Sequence, residues 1–205
     1  MRSDWISPWW QAMLLPARWD VCGVKVGPLS LWHIFALENI GNRYLCGGSP
    51  DRDDAASLLL FAKHDMAGGR RLMLKPHYRA RQIWRMHRRI RKLDDQYISD
   101  ACLEYVETCT RINSRWSKAG AASTPCGAPH EFTLAAFMAE RLPGGVVEAW
   151  NMPFTQARCL FDAAMEAEGK TSMLAPKYQY MEDNWDEFKD DTETRKVVIQ
   201  MNGEN

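Results

Sequence analysis

The clearest hydrophobic pattern in the chain lies between residues 77 and 113. Apolar side chains recur there at every third or fourth position, at Ile83, Met86, Ile90, Leu93, Tyr97, Ala101, Tyr105, Cys109 and Ile112. This is the period of an α-helix, so the pattern predicts a long central helix of about ten turns with one apolar face. Asp94 and Asp95 interrupt the apolar positions and could cap a second helix, so a helical hairpin or a kink is the alternative.

Helical and extended patterns also precede the central segment. Residues 29–40 predict a helix because Ser30 is a good N-cap and Gly41 supplies a C-terminal stop. In front of this helix, residues 1–28 are rich in tryptophan and interrupted by proline. Within them, residues 21–26 partly alternate between apolar and polar positions, which predicts a short strand or an extended arm.

A second helix is predicted to begin at Asp51 or Asp53 and to reach about Met66. The acidic residues in its first turn interact favourably with the positive end of the helix dipole. Gly68 and Gly69 follow the predicted helix, and glycine is the commonest residue just after a helix C-terminus. The glycine pair is therefore expected to end this helix.

The second half of the chain predicts a linker and a smaller helical unit. Residues 117–129 combine small residues, glycine and two prolines, as expected for a linker. One helix is predicted over residues 129–142 and another over residues 154–169, with a short segment at 146–150 between them. The predicted divisions of the chain are residues 1–116, the linker 117–129, the C-terminal helical unit 130–175 and an acidic tail, 176–205.

These patterns together predict a mainly α fold. Its parts are a long central amphipathic helix or helical hairpin, a small C-terminal helical unit and a short N-terminal strand. The composition agrees, because 46% hydrophobic and 25% charged residues are ordinary for a globular protein. Twenty-six basic and 26 acidic residues give a formal net charge of zero, which argues against a uniformly basic nucleic-acid binder.

The apolar stretches and the cysteines indicate the compartment. The longest strongly apolar stretch, residues 57–62, is far shorter than the roughly 20 residues that span a bilayer, so we expect no membrane partner. The N-terminus lacks a clean apolar core with a small-residue cleavage site, so we expect no signal peptide. The six cysteines include no CxxC pair and are expected to be reduced thiols in a cytosol.

Residues 70–92 form the most basic segment of the chain. They contain ten cationic residues and no acid: Arg70, Arg71, Lys75, Arg79, Arg81, Arg85, Arg88, Arg89, Arg91 and Lys92. Tyr78 and Trp84 lie among the cations, so the segment could contact phosphates while its aromatic rings stack on bases. The candidate nucleic-acid-binding residues are Arg79, Arg81, Arg85, Arg88, Arg89 and Arg91. The plainer alternative is a solvated helix face whose charge is balanced by the acids at 94–107 or in the tail.

No residue pattern in the chain predicts catalysis. The five histidines form neither HExxH nor a Cys/His zinc spacing, and the sequence has no GxSxG, P-loop or GxGxxG motif. The carboxylates are too scattered to indicate a glycosidase pair. We therefore expect no enzyme activity, no catalytic residues, no metal and no cofactor.

Aromatic and sulfur-containing residues are abundant. Nine tryptophans and 11 methionines either fill a core or form an adaptable apolar surface that accepts other helices. Trp5, Trp9 and Trp10 are hard to bury within so short a segment, so we expect them to dock on a neighbouring surface.

Three stretches of the chain resemble small proteins encoded in phage tail-gene clusters. Residues 27–42 (GPLSLWHIFALENIGN) resemble an opening in which a turn leads into a helix that ends in Glu-x-Ile/Leu-Gly. Residues 127–132 (GAPHEF) and 150–157 (WNMPFTQA), with the helix that reaches Gly169, resemble the C-terminal unit of the same proteins. The order of the stretches also fits, with a basic, variable helical middle between them. The Trp-rich start and the long acidic tail depart from the pattern.

The resemblance implies a tailed-phage tail assembly chaperone, a non-enzymatic protein of the host cytoplasm that acts during virion assembly. Such proteins bind the tape measure protein, a long helical chain that sets tail length. A long amphipathic rod exposes its apolar stripe before the tail tube encloses it, and a helical protein with apolar grooves can cover that stripe. The expected protein-binding residues are Ile83, Met86, Ile90, Leu93, Tyr97, Tyr105, Trp150, Phe154 and Leu160.

Three other functions remain open at this point. The first is a nucleic-acid-binding protein that uses residues 70–92, and the second is a structural tail or neck subunit of the virion. The third is a phage-encoded inhibitor of host defence. A homo-oligomer is also compatible with the sequence, because the acidic segment of one copy can neutralise the basic segment of another.

Overall fold

The computed structural model describes residues 7–111 and 129–169, together with residues 180 and 184. Within these residues the chain is mainly helical, as predicted, with ten helices and one two-stranded antiparallel sheet. The chain divides into two compact units. The core unit comprises residues 15–111 and 129–157, and the second unit comprises residues 1–14, 112–128 and 158–205.

The secondary structure elements are short and follow one another closely. The helices are α1 (Pro8–Met13), α2 (Leu31–Asn39), α3 (Arg43–Cys46), α4 (Arg52–Ala62), α5 (Met66–Leu74), α6 (Pro76–Ile90), α7 (Asp95–Thr110), α8 (His130–Ala139), α9 (Gly145–Asn151) and α10 (Phe154–Ala167). The strands are β1 (Trp19–Val21) and β2 (Val24–Val26).

Residues 21–26, predicted as a single strand or extended arm, instead contain the turn of a β-hairpin. Val21 pairs with Val24, and the two residues between them, Cys22 and Gly23, have φ angles of 54° and 72°. Two successive residues with positive φ match the twist of a hairpin, and glycine at the second position adopts this backbone easily. The alternation of apolar residues is real, since the three valines at 21, 24 and 26 are all buried.

Helix α4 lies at the centre of the core unit, where every residue from Asp54 to Ala62 is buried. It packs against α2, α6, α7 and β2. Asp51 caps its start by accepting hydrogen bonds from the backbone N–H groups of Asp53 at 2.8 Å and Asp54 at 3.0 Å, which confirms the predicted beginning.

The predicted end of this helix at Gly68 and Gly69 is wrong. Helix α4 ends at Ala62, and both glycines lie inside α5, whose N-cap is Asp65. The carboxylate of Asp65 accepts a hydrogen bond from Gly68 N at 2.8 Å, so this acid begins a new helix. Gly69 is buried beside Trp32, where a larger residue would collide with the indole ring.

The apolar pattern between residues 77 and 113 forms two helices, so the single long helix is wrong and Asp94 begins a second helix, as the alternative predicted. Asp94 caps α7 by accepting hydrogen bonds from Gln96 N at 3.0 Å and Tyr97 N at 3.2 Å. The Arg52 guanidinium donates to the carbonyls of Arg91 at 3.3 Å and Leu93 at 3.1 Å. It thereby satisfies carbonyl groups that the end of α6 leaves without helical partners. Ile112 lies outside the described residues.

The predicted helices of the C-terminal half are present, and residues 146–150 also belong to a helix, α9. Pro129 caps α8, and α10 begins directly after Pro153. The predicted linker 117–129 and tail 176–205 fall outside the described residues, apart from Pro129, Tyr180 and Asn184. None of the helices in the described ranges is both long enough and apolar enough to cross a membrane.

The second unit contributes α1 and the larger part of α10 to the described residues. In α10, Arg158 forms an ion pair with the buried Asp162 one turn later, at an Nε–Oδ2 distance of 3.1 Å. Two members of the predicted tryptophan cluster, Trp9 and Trp10, lie in α1, and Trp5 lies outside the described residues.

Candidate protein-binding surface

Two segments that are far apart in the sequence join in the core unit, at residues 29–31 and 152–154. Leu31 N donates a hydrogen bond to the Met152 carbonyl at 3.1 Å, and Phe154 N donates to the Leu29 carbonyl at 2.8 Å. Between these bonds, Ser30 and Pro153 lie opposite each other in an antiparallel bridge. The bridge holds the first turn of α2 beside the first turn of α10.

His33 fixes the start of α2. Its Nδ1 atom accepts a hydrogen bond from Ser30 N at 2.9 Å and lies 2.8 Å from Ser30 Oγ. Because Nδ1 is an acceptor, Nε2 carries the proton and donates to the His64 carbonyl at 2.6 Å. Burial lowers the pKa of His33, so the folded core unit favours the neutral form of the ring.

Three aromatic rings from three helices meet beside this junction. Phe132 lies edge-to-face against Phe35, with ring centroids 5.2 Å apart, and against Trp150, with centroids 4.9 Å apart. Phe35 and Trp150 complete the triangle at 5.7 Å. We call these three residues the aromatic triad. Edge-to-face contacts align the positive edge of one ring with the negative face of the next and hold all three in fixed orientations.

The aromatic triad is open to solvent on one side. Phe132 remains 44% exposed, and Phe35 and Trp150 are half-buried. On α9, Val146 and Val147 precede Trp150 by four and three residues, so they share its side of the helix, and they are 59% and 60% exposed. The triad and these two valines form an apolar patch, which we call the aromatic surface.

Two carboxylates lie close to the aromatic surface. Glu38 is one turn beyond Phe35 on α2, and Glu131 is the neighbour of Phe132. Burial raises the pKa of Glu38, and the charge of Glu131 raises it further. The two acids therefore repel each other, and Glu38 is the exposed one of the pair, since Glu131 is buried.

The predicted central stripe is buried by the chain itself. Met86, Ile90 and Tyr105 are core residues, and Ile83 and Leu93 pack against the same core. Both α6 and α7 turn their apolar faces toward α4, so Met86, Ile90 and Tyr105 are not available to a partner, and Ile83 and Leu93 are only partly exposed. Within the predicted stripe, Tyr97 is 55% exposed.

The predicted protein-binding residues of the C-terminal half have different surroundings. Trp150 belongs to the aromatic triad, and Phe154 is half-buried against the core of its own unit. Leu160 is 43% exposed and belongs to the second unit. The sequence reasoning missed Phe35, Phe132, Val146 and Val147, although two of them lie in the stretches that carry the resemblance.

The arginines of the predicted nucleic-acid site lie on α6 and just beyond it. Arg81, Arg85 and Arg88 are exposed on one side of the helix. Arg88 places its guanidinium carbon 5.0 Å from the centroid of the Trp84 ring, and Trp84 itself is 56% exposed. The other three have different surroundings. Arg79 is half-buried, Arg89 donates to the Gly23 carbonyl at 2.7 Å, and Arg91 is exposed after the end of α6.

The buried thiols of Cys102 and Cys109 are unreactive because of their surroundings. Burial raises the pKa of Cys102 and of Cys109 to about 12, so both remain protonated near neutral pH. Cys109 Sγ accepts a hydrogen bond from Leu29 N at 3.4 Å. The described part of the chain holds no cluster of three or more His, Cys, Asp or Glu side chains arranged for a metal ion.

Comparisons with protein-family models, with curated proteins and with solved structures give no match to the chain.

Proposed function

We propose that the chain is a phage tail assembly chaperone that binds the tape measure protein through the aromatic surface. One observation carries the proposal. The three stretches that resemble tail-cluster proteins, residues 27–42, 127–132 and 150–157, each contribute one ring of the aromatic triad. The three stretches that carry the resemblance therefore also build one partly exposed apolar patch. Such a patch is the feature that a chaperone needs to cover an apolar partner.

The shape of the aromatic surface suits an amphipathic helix. The rings of the triad come from α2, α8 and α9, and Val146 and Val147 extend the patch along α9. A partner helix that presents apolar residues at positions i, i+3, i+4 and i+7 can cover such a patch without unfolding either protein. A small apolar contact of this kind binds reversibly. An assembly factor requires this, because the tail tube later replaces the chaperone on the tape measure protein.

The acids beside the patch add a preference for charge. Glu38 is exposed and the charge of the buried Glu131 adds to the negative potential around it, so a lysine or arginine at the edge of the bound helix gains a favourable contact with Glu38. Such a contact sets the register of the partner helix more than the strength of binding. The proposed site of action is the host cytoplasm, and no catalytic step is proposed.

The test is co-expression of the full chain with the tape measure protein of its own tail-gene cluster, followed by size-exclusion chromatography. We expect the two to co-elute and the yield of soluble tape measure protein to rise. The double variant Val146→Ser/Val147→Ser is expected to weaken binding about tenfold or more, because both side chains are exposed and supply apolar area to the patch.

The matched control is Leu74→Ser/Leu103→Ser. These residues are 68% and 45% exposed on α5 and α7 and do not belong to the aromatic surface, so the loss of apolar area there should leave binding unchanged. Absence of co-elution with the unmodified chain overturns the proposal, as does equal weakening by both double variants. The chain should also be absent from purified virions, and its presence there in fixed copy number would favour a structural subunit instead.

A further inference from the structure

The basic face of α6 has no part in the proposed function. We define this face as Arg81, Arg85 and Arg88 together with Trp84. The spacing of four and three residues places the three guanidinium groups on one side of the helix, and Trp84 lies between Arg81 and Arg88 on the same side. All four residues are exposed, and Trp84 has 56% of its surface open to solvent.

The acids nearest to α6 along the chain and across the core are already engaged. Asp53 is in hydrogen-bond contact with the His87 imidazole, and Asp95 forms an ion pair with Arg52. On α7, Asp100 and Glu104 line a groove of about 500 Å³ with β1 instead of facing α6. Among the residues that the structure describes, no acid forms an ion pair with Arg81, Arg85 or Arg88. Their charge is therefore directed at solvent.

The helix that carries this face is held rigidly. Met86 and Ile90 anchor α6 in the core, and Pro76 begins it with a backbone angle suited to a first turn. At its C-terminal end Arg89 binds the Gly23 carbonyl of the hairpin. The exposed arginines thus project from a fixed base, and binding a ligand does not require α6 to fold first.

The exposed indole of Trp84 bears on whether this face suits a single strand or a duplex. In a duplex the paired bases stay stacked inside, so the arginines of this face could contact phosphates but Trp84 would have no exposed base to stack on. A single strand offers unstacked bases, which pair readily with the face of an aromatic ring. Arg88 already covers the Trp84 ring from one side at 5.0 Å, so a base on the other side completes a guanidinium–indole–base stack.

We propose that the basic face of α6 binds single-stranded nucleic acid, with Arg81, Arg85 and Arg88 on consecutive phosphates and Trp84 stacked on a base. The neutral overall charge does not oppose this interaction, because screening at physiological salt limits electrostatic interactions to about 8 Å. The proposal is independent of the tape measure proposal, because the aromatic surface and the basic face share no residue.

The test is fluorescence anisotropy with a labelled 20-nucleotide oligothymidine and a duplex of the same length, using full-length protein freed of nucleic acid, at 50 and 200 mM salt. We expect the single strand to bind more tightly than the duplex. Three neutralised phosphates predict that log K falls with log salt at a slope of about −2 for the single strand. Trp84→Ala should weaken single-strand binding about tenfold and leave duplex binding unchanged, and Trp84→Phe should restore most of the loss.

Two triple variants with the same change in charge localise the site. Arg81→Ala/Arg85→Ala/Arg88→Ala is expected to abolish most of the salt dependence. The control Arg18→Ala/Lys25→Ala/Lys63→Ala removes three exposed cations elsewhere in the core unit and should bind like the unmodified chain. Equal weakening by both triples overturns the proposal, as does the absence of binding at 50 mM salt or equal binding of duplex and single strand. The α6 triple variant should still bind the tape measure protein, which separates failure of one proposal from failure of the other.

Discussion

Gly69 lies against the indole of Trp32, so closely that a Cβ atom on residue 69 would stand 2.5 Å from Trp32 Nε1. Both residues are buried, and Trp32 belongs to the main core cluster. The glycine is therefore required by packing between α2 and α5, and it does not mark the end of a helix. The sequence predicts a helix end at this glycine, but in the structure it is a point of close approach between two helices.

Gly69→Ala is expected to destabilise the protein by about 1–3 kcal/mol, because the gain in helix propensity is outweighed by displacement of a buried ring. Thermal unfolding followed by circular dichroism measures the effect. Gly68→Ala is the control, since the nearest atoms that a Cβ there would meet belong to the side chains of His64 and Asp65, at 3.2 Å or more, and a contact at that distance requires only a small adjustment. A Tm for Gly69→Ala equal to or above that of Gly68→Ala would contradict the packing argument.

Asp94 lies between α6 and α7, and its carboxylate caps α7. Asp94→Ala is expected to cost about 1 kcal/mol of unfolding free energy, because two backbone N–H groups lose their acceptor. Asp94→Asn keeps an acceptor oxygen and should cost much less. Urea unfolding of the three proteins gives the comparison, and identical losses for Ala and Asn would show that the cap does not stabilise α7.

The edge-to-face contact of Phe132 with Trp150 predicts a measurable coupling. In a double-mutant cycle with Phe132→Leu and Trp150→Leu, we expect an interaction energy of about 0.5–1.5 kcal/mol from urea unfolding. The control cycle pairs Phe132→Leu with Tyr97→Leu. Tyr97 is exposed on α7 and has no ring contact with Phe132 among the described residues, so these two losses should be additive. A coupling near zero in the first cycle would mean that the triad has no preferred geometry.

Local signals in the sequence predicted much of the secondary structure. Ser30, Asp51 and Asp94 each cap the helix expected from them, because a cap depends only on neighbouring backbone groups. The hairpin at residues 21–26 was missed because its turn uses Cys22 with positive φ, and only Gly23 is a residue that favours this backbone.

The candidate site depended on information that local patterns do not contain. The period of residues 83–109 correctly indicated an apolar helix face, but a period does not reveal what covers that face, and here it is α4. Phe35, Phe132 and Trp150 lie in separate helices, each in an unremarkable apolar position. Their meeting requires the bridge between residues 29–31 and 152–154, which no single segment predicts.

His33 connects the start of α2 to the end of α4, and its protonation state is part of that connection. Nδ1 accepts from Ser30 N while Nε2 donates to the His64 carbonyl. A protonated ring would bring an N–H at Nδ1 against the Ser30 N–H, and burial already lowers the pKa of His33. The folded state therefore excludes a proton that the unfolded chain accepts.

Stability is accordingly expected to decline as the pH falls below about 6.5, the ordinary value for histidine, until the pH reaches the lower pKa of His33 in the folded protein. Urea unfolding at pH 7.5, 6.5 and 5.5 measures the decline. His33→Gln keeps an acceptor for Ser30 N, as in a capping box, and removes the titration, so its stability should be lower at pH 7.5 but should change less with pH. Burial also lowers the pKa of the half-buried His64, so His64→Gln is measured in parallel. If the pH dependence disappears in His64→Gln and persists in His33→Gln, the proton linkage belongs to His64 and not to the cap of α2.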